Sequence, residues 1–208
     1  MKSLWNDAEA RKFSGLLGPR VYSARLLGRD KSLVLHGGGN ASVKFAEKNL
    51  LGEEGQVLYI KGSGSDLESV EAESFVPVAL DYLRRLASLP ALSDPQMVNE
   101  LATHTLRAGA PAPSVETLLH AILPHKYVDH THADAVLSIA NAPDGEKRVR
   151  DIYGDKLVVI PYVMAGFDLA AYCAREFPKQ KTKNTVGMVL LSHGVAQSGP
   201  HFVCTLPG

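Results

Sequence analysis

The sequence predicts an α/β domain: a central sheet with helices on its faces. Two observations carry this. β-rich and helix-patterned stretches interleave along the whole chain rather than segregating. Three of the β-like runs also end in glycine, in HGGGN (36–40), KGSGSD (61–66) and SHGV (192–195). Strand ends that run into glycine-rich loops are where α/β folds place ligands. A chain of 208 residues suits one such domain, with enough interior for a sizeable core.

Taken in order, residues 5–27 read as a helix interrupted near Gly18 and Pro19. SLVLHG (32–37) reads as a short strand, KFAEKNLLGEEG (44–55) as a hairpin-type connection and QVLYIKG (56–62) as a second strand. Residues 66–89 are helical by pattern, with Asp66 or Ser69 as cap, an apolar stripe of Phe75, Val78, Leu80 and Leu83, and Pro90 as stop. Residues 93–109 carry most helix signals: Ser93 or Asp94 to cap, Pro95 in the first turn, Arg107 near the end and Gly109 as terminator. Ser114 caps a short helix, VETLLHAIL, that Pro124 ends. Three β-like runs follow, KYVDHTH (126–132), KLVVIPYV (156–163) and GMVLLSHG (187–194), separated by helical or loop stretches at 133–153 and 168–177.

Composition narrows the function. Formal net charge is zero and basic residues are scattered, which argues against a nucleic-acid groove. The two cysteines, Cys173 and Cys204, show no paired spacing, so a reducing compartment is expected. The N-terminus lacks the apolar core of a signal peptide, and no apolar stretch approaches the ~18 residues of a membrane span. The expectation is a soluble cytoplasmic protein.

The chemistry concentrates at a few residues. In a strand, positions two apart share a face, so His130 and His132 of VDHTHADAV project together, as a pair of metal-binding imidazoles does. H-x-H alone is equally the mark of two polar rings on a wet face. His193, beside Gly194 at another strand end, makes a possible third ligand with a coordination position left open. Asp129 points to the opposite face from His130, and Asp134 is expected to cap the following segment or to hold an imidazole N–H. His36 could line the site. Glu116 falls in the first turn of the helix capped by Ser114, where a carboxylate suits either the helix dipole or a catalytic base. The two glycine loops offer backbone amides, small hydroxyls and one lysine, the chemistry of a phosphate cradle.

As a set, LVLHGGGNASVK, VLYIKGSGSDL, APSVETLLHAILPHKYVDHTHADAVLSIAN, VVIPYVMAGFDLA and VLLSHGV resemble the class II aldolase/adducin family, over about residues 25–195. The wording is most similar to the aldolase half of bacterial bifunctional rhamnulose-1-phosphate aldolase/alcohol dehydrogenase proteins. The resemblance implies a three-layer α/β/α sandwich around a largely antiparallel sheet, in a homo-oligomer, often a tetramer. It implies a divalent metal, Zn²⁺ first, held by His130, His132 and His193, with Glu116 as general acid/base. Asn40, Ser63, Gly64 and Ser114 match positions that line the substrate phosphate site. The implied reaction is lyase cleavage of a ketose 1-phosphate, such as rhamnulose 1-phosphate, to dihydroxyacetone phosphate and a small aldehyde. An epimerase, a dehydratase or a non-catalytic adducin-like module are the alternatives. Two departures stand out: Val115 replaces a second serine, and residues 196–208 lack the long helix expected after His193-Gly194. A truncated or altered C-terminus of a single domain spanning 1–208 is the reading.

Overall fold

The chain opens with a one-turn helix, α1 (Asp7–Ala10), capped by the Asn6 side chain, which accepts from the amides of Ala8 and Glu9. The interruption expected near Gly18 and Pro19 is the start of α2 (Gly18–Arg29), where proline's missing N–H costs nothing. The computed structural model describes residues 3–199.

Residues 32–37 do not form the expected strand. Asp30 draws them into a turn, its carbonyl accepting from Leu33 and Val34 and its carboxylate from Ser32. Leu33 and Val34 are buried all the same, so their apolar pattern reported burial and not pairing. The first strand is β1 (Asn40–Lys48), which takes in half of the expected connection. It forms an antiparallel hairpin with β2 (Glu54–Lys61) across a turn fastened by Asn49, whose Oδ1 accepts from Leu51 and Glu53.

The single helix expected over 66–89 is also divided. Two 3-10 turns lead into β3 (Phe75–Ala79), and only α3 (Leu80–Leu86) is helical. β3 ends the sheet, where Pro77 can sit; the Leu106 amide donates to the Pro77 carbonyl and covers part of that edge. Next come α4 (Asp94–Thr103), α5 (Thr117–Ile122), β4 (Tyr127–Thr131), α6 (Asp134–Ala140), α7 (Gly145–Tyr153), β5 (Leu157–Ile160), α8 (Phe167–Gln180), β6 (Gly187–Leu190) and β7 (Gly194–Gly199). The Ser93 and Gln96 side chains make a reciprocal capping box at the start of α4.

The strands make one sheet in the order β3-β2-β1-β4-β7-β6-β5, antiparallel except for the β5–β6 pair. On one face α2, α6 and α7 bury Val21, Ala24, Leu27, Val136 and Val149 against Ala41, Val43, Val159 and Val195. On the other, α3, α4, α5 and α8 cover Leu58, Ile60, Val78, Val128, Ile160, Met188 and Ala196. Strand residues alternate between the two cores, which gives the three-layer α/β/α sandwich with a largely antiparallel sheet. Residues 196–199, the start of the stretch read as an atypical C-terminal end, belong to β7 and lie in the body of the sheet between β4 and β6. Residues 200–208, including Cys204, lie outside the described residues. No helix among the described residues is long and apolar enough to cross a membrane.

Candidate metal centre

The alternation along β4 sorts its side chains. Val128 and His130 face the α5–α8 layer, while Asp129 turns to the other face and pairs with Arg20 of α2. His130 is buried, 1% exposed. Its Nδ1 donates to the Val195 carbonyl at 3.2 Å, because a carbonyl can only accept; Nε2 is left with its lone pair free for a ligand. His132 follows just beyond the strand, with its amide bonded to Leu33 O at 2.9 Å, and its Nε2 comes within 3.1 Å of His130 Nε2.

His193 sits in the tight turn between β6 and β7, after Ser192 at φ 57. That left-handed residue is uncommon outside glycine and marks a turn held by its surroundings. β7 then runs back along β4, pairing Ala196 with His130 and Val195 with Thr131, and so returns the turn to the end of β4. The three rings lie 4.9, 5.0 and 5.8 Å apart, and their candidate ligand nitrogens all fall within 4.8 Å of one another. Three imidazoles facing one point beside an open cleft, the His130 ring with its other nitrogen fixed by a carbonyl, suit a divalent ion with room for substrate.

Glu116 completes the cluster. It is the N-cap residue of α5, one position earlier than the expected first turn, with its amide bonded to Ser114 Oγ at 3.2 Å. Its Oε1 lies 3.2 Å from both His130 Nε2 and His193 Nε2. Burial works to raise its pKa, and the surrounding imidazoles, with a hydrogen bond from His193, pull it the other way, to a net shift down. Burial lowers His130 to about 4 and keeps the ring neutral, the form that binds metal. His132 is shifted down by burial and by His193.

A cleft of about 190 Å³ opens over this cluster. Its walls include Gly37, Gly38, Gly39 and Asn40 from the loop before β1, and Lys61, Ser63 and Gly64 from the loop after β2, with Ser114 beside Glu116. Asn40 is paired directly with His130 in the β1–β4 register. All the candidate site residues therefore meet at one place. Lys61, the lysine of the second glycine loop, lines the cleft as well, and Gly194 lies against the His130 and His132 rings. A Cβ on Gly194 would fall 2.6 Å from His130 Cε1 and 2.9 Å from His132 Cδ2, so only glycine lets β7 pass behind the rings.

The other histidines among the described residues lie elsewhere. His36 is exposed and does not line the cleft; His104 stacks on Tyr82. His120 is fully buried one helical turn after Glu116, with Nδ1 against Ser42 Oγ at 2.8 Å. Asp134 opens α6 without a capping bond from its side chain. The Cys173 thiol is pushed up to about 12 by burial and is unreactive.

Residues 20–203 match the family model described as "Class II Aldolase and Adducin N-terminal domain". The chain belongs to the class II aldolase/adducin family. This class II aldolase domain is 37% identical to the N-terminal class II aldolase domain of a conserved protein from Thermoplasma acidophilum. The two superpose with a TM-score of 0.85 over 97% of this chain and 91% of that one. It is 41% identical over 174 residues to a Bacillus subtilis (strain 168) protein named "Uncharacterized oxidoreductase YuxG". That match covers 84% of this chain but only a quarter of the relative's length (25%). A sugar-phosphate aldolase from Thermotoga maritima shares the fold at 15% identity, with a TM-score of 0.61 over 86% of this chain and 82% of its own. Class II aldolases work with a divalent metal, and the histidine trio is where this domain would hold one.

Proposed function

We propose that this domain is a metal-dependent carbon–carbon lyase that cleaves a ketose 1-phosphate, such as rhamnulose 1-phosphate, to dihydroxyacetone phosphate and a small aldehyde. The observation that carries the reading is the Glu116 carboxyl group, 3.2 Å from two of three converging imidazoles at the floor of a polar cleft. His130, His132 and His193 would hold the ion, zinc in the first instance. When bound, the ion supplies Lewis acidity toward the negative charge that cleavage leaves on the ketose oxygens.

The remaining steps belong to the chain's own groups. Glu116 takes up the proton released as the hydroxyl of the departing carbon becomes the aldehyde carbonyl, delivers it to the carbon where the bond has broken, and returns to the carboxylate. Ser63 and Ser114 present hydroxyls, Asn40 an amide and Gly64 a backbone without a side chain, all on the cleft wall that would receive the phosphate. Val115, half exposed beside Ser114, offers no hydrogen bond where a second serine was expected. In the longer relative, we propose, the quarter that matches this domain carries the aldolase-type chemistry, and the rest accounts for the name oxidoreductase. A cytoplasmic homo-oligomer, a tetramer by resemblance, goes with the same reading, and native mass measurement checks the oligomer.

Aldehyde and dihydroxyacetone phosphate release from rhamnulose 1-phosphate tests the proposal. Glu116→Gln should lower the rate by about 10²–10⁴, the range of general acid–base catalysis, with metal content unchanged. Equal rates in both proteins would sink the role of Glu116. An epimer or loss of water, seen by NMR, would move the assignment to an epimerase or dehydratase. No divalent metal uptake would favour the adducin-like module.

A further inference from the structure

α5 carries two ionisable side chains one turn apart, Glu116 at its N-cap and His120. His120 has no part in the proposed chemistry, yet it is 0% exposed. Its Nδ1 lies 2.8 Å from Ser42 Oγ of β1, and among the described residues its Nε2 has no hydrogen-bond partner. The Ser42 hydroxyl likewise bonds only this ring among the described residues. Were Nδ1 the donor, the hydroxyl proton and the Nε2 lone pair would both lack partners. With Ser42 as donor only Nε2–H does, so the ring is the Nε2–H tautomer. An unpaired buried donor costs about 1–3 kcal/mol and asks for a reason.

The helix supplies an acceptor. Residues four apart share a helix face, and the His120 amide already donates to the Glu116 carbonyl at 3.1 Å. Burial lowers the His120 pKa, and Glu116 is the charge that most opposes it. Glu116 Oε1 stands 3.2 Å from both His130 Nε2 and His193 Nε2, where the ligand nitrogens converge, and Oε2 accepts no hydrogen bond from the described residues. An ion held there with substrate on its open positions fills that place, so the carboxylate needs a second one. We infer that His120 is a positioning residue for Glu116: its buried Nε2–H holds the carboxylate when ion and substrate occupy the trio, and Ser42 fixes the ring to present that donor. The inference rests on the proposed acid/base role of Glu116. One carboxylate oxygen stays bonded to the imidazole, and the other faces the cleft for proton transfer. Buried Lys44, also on β1, holds the far end of α5 through the Leu123 and His125 carbonyls, so polar contacts seat the helix that carries both residues.

NMR of isotope-labelled histidines in zinc-loaded protein tests it, without and with saturating acetohydroxamate, a bidentate chelator that fills an ion's open positions. His120 should be the Nε2–H tautomer in wild type. Its Nε2 proton should move downfield when acetohydroxamate is added, as a bond to a charged acceptor forms, and stay in place in Glu116→Ala. An Nδ1–H tautomer, a proton that does not move in wild type, or one that moves as far in Glu116→Ala would overturn the inference. In kinetics, two substitutions separate the donor from the packing. Asn puts its amide where Nδ1 was and leaves nothing at Nε2; Gln puts its amide at Nε2. His120→Asn should lower kcat for ketose 1-phosphate about 10- to 100-fold with KM and zinc content unchanged, and His120→Gln should keep most of the activity. Equal loss in both would make the ring a packing element and sink its positioning role. If wild type cleaves no ketose phosphate, the lyase reading fails while the spectra of wild type and Glu116→Ala still decide the role of His120.

Discussion

A methyl group at position 194 has nowhere to go. It would meet Thr131 O at 2.8 Å as well as the two histidine rings, and backbone cannot yield cheaply. Gly194→Ala should therefore displace His130 and His132 and weaken divalent-metal affinity by at least about tenfold, as disturbed ligand support does. Competition with a chelating dye measures this, with Gly55→Ala as control, since a Cβ there meets nothing within 4 Å. Asp129 makes the opposite case. It sits next to a ligand but faces the other way, paired with the buried Arg20. Asp129→Asn should lower stability by about 1–3 kcal/mol in urea unfolding, by taking the negative charge out of a largely buried ion pair, and leave metal affinity unchanged. At this scale the sequence was readable wherever a side chain's direction follows from strand period, as for His130 and Asp129. For Lys61 the glycine loop was readable but the burial was not, because nothing local tells whether a lysine's ammonium ends in water or between two loops.

Among the elements, α4 shows how fully a helix start can be written in residues. Ser93 and Gln96 bond each other's backbone, and Asp94 lies in the first turn. Ser93→Ala should lower stability by about 1 kcal/mol, read as a shift of the urea midpoint at constant slope. The stretch from 66 to 89 shows the reverse. Phe75, Val76 and Val78 are all buried, so the strand β3 presents a continuous apolar run with no period of two, and joined to the stripe of α3 it reads as one helix. The strand is made by its partner: β2 pairs with it from Val57 to Lys61, a contact no local pattern encodes. The same holds at 32–37, where Asp30 sets a turn under residues of high strand propensity.

For the molecule as a whole, layers and fold class were legible because helix and strand periods alternate along the chain; strand order was not, since it depends on pairings far apart in sequence. One consequence of the packed interior is pH dependence. His120 has no exposure, and burial drives its pKa from 6.5 to about 3. The folded state therefore keeps the ring neutral while the unfolded chain takes up a proton. Its contribution to stability is complete above pH 6.5 and is lost as pH falls toward the folded value. The unfolding free energy of metal-free protein, from urea titrations, should fall across this window by up to about 1.4 kcal/mol per pH unit for each proton, and His120→Gln should flatten the slope. The placement of β7 bears on how the centre comes into being. His130 lies on the fourth strand and His193 just ahead of the seventh, which inserts beside it in mid-sheet. During synthesis the chain can collapse around its first four strands, yet the proposed ligand set is not assembled until the seventh strand emerges and docks, so on that reading the metal would be taken up late in folding.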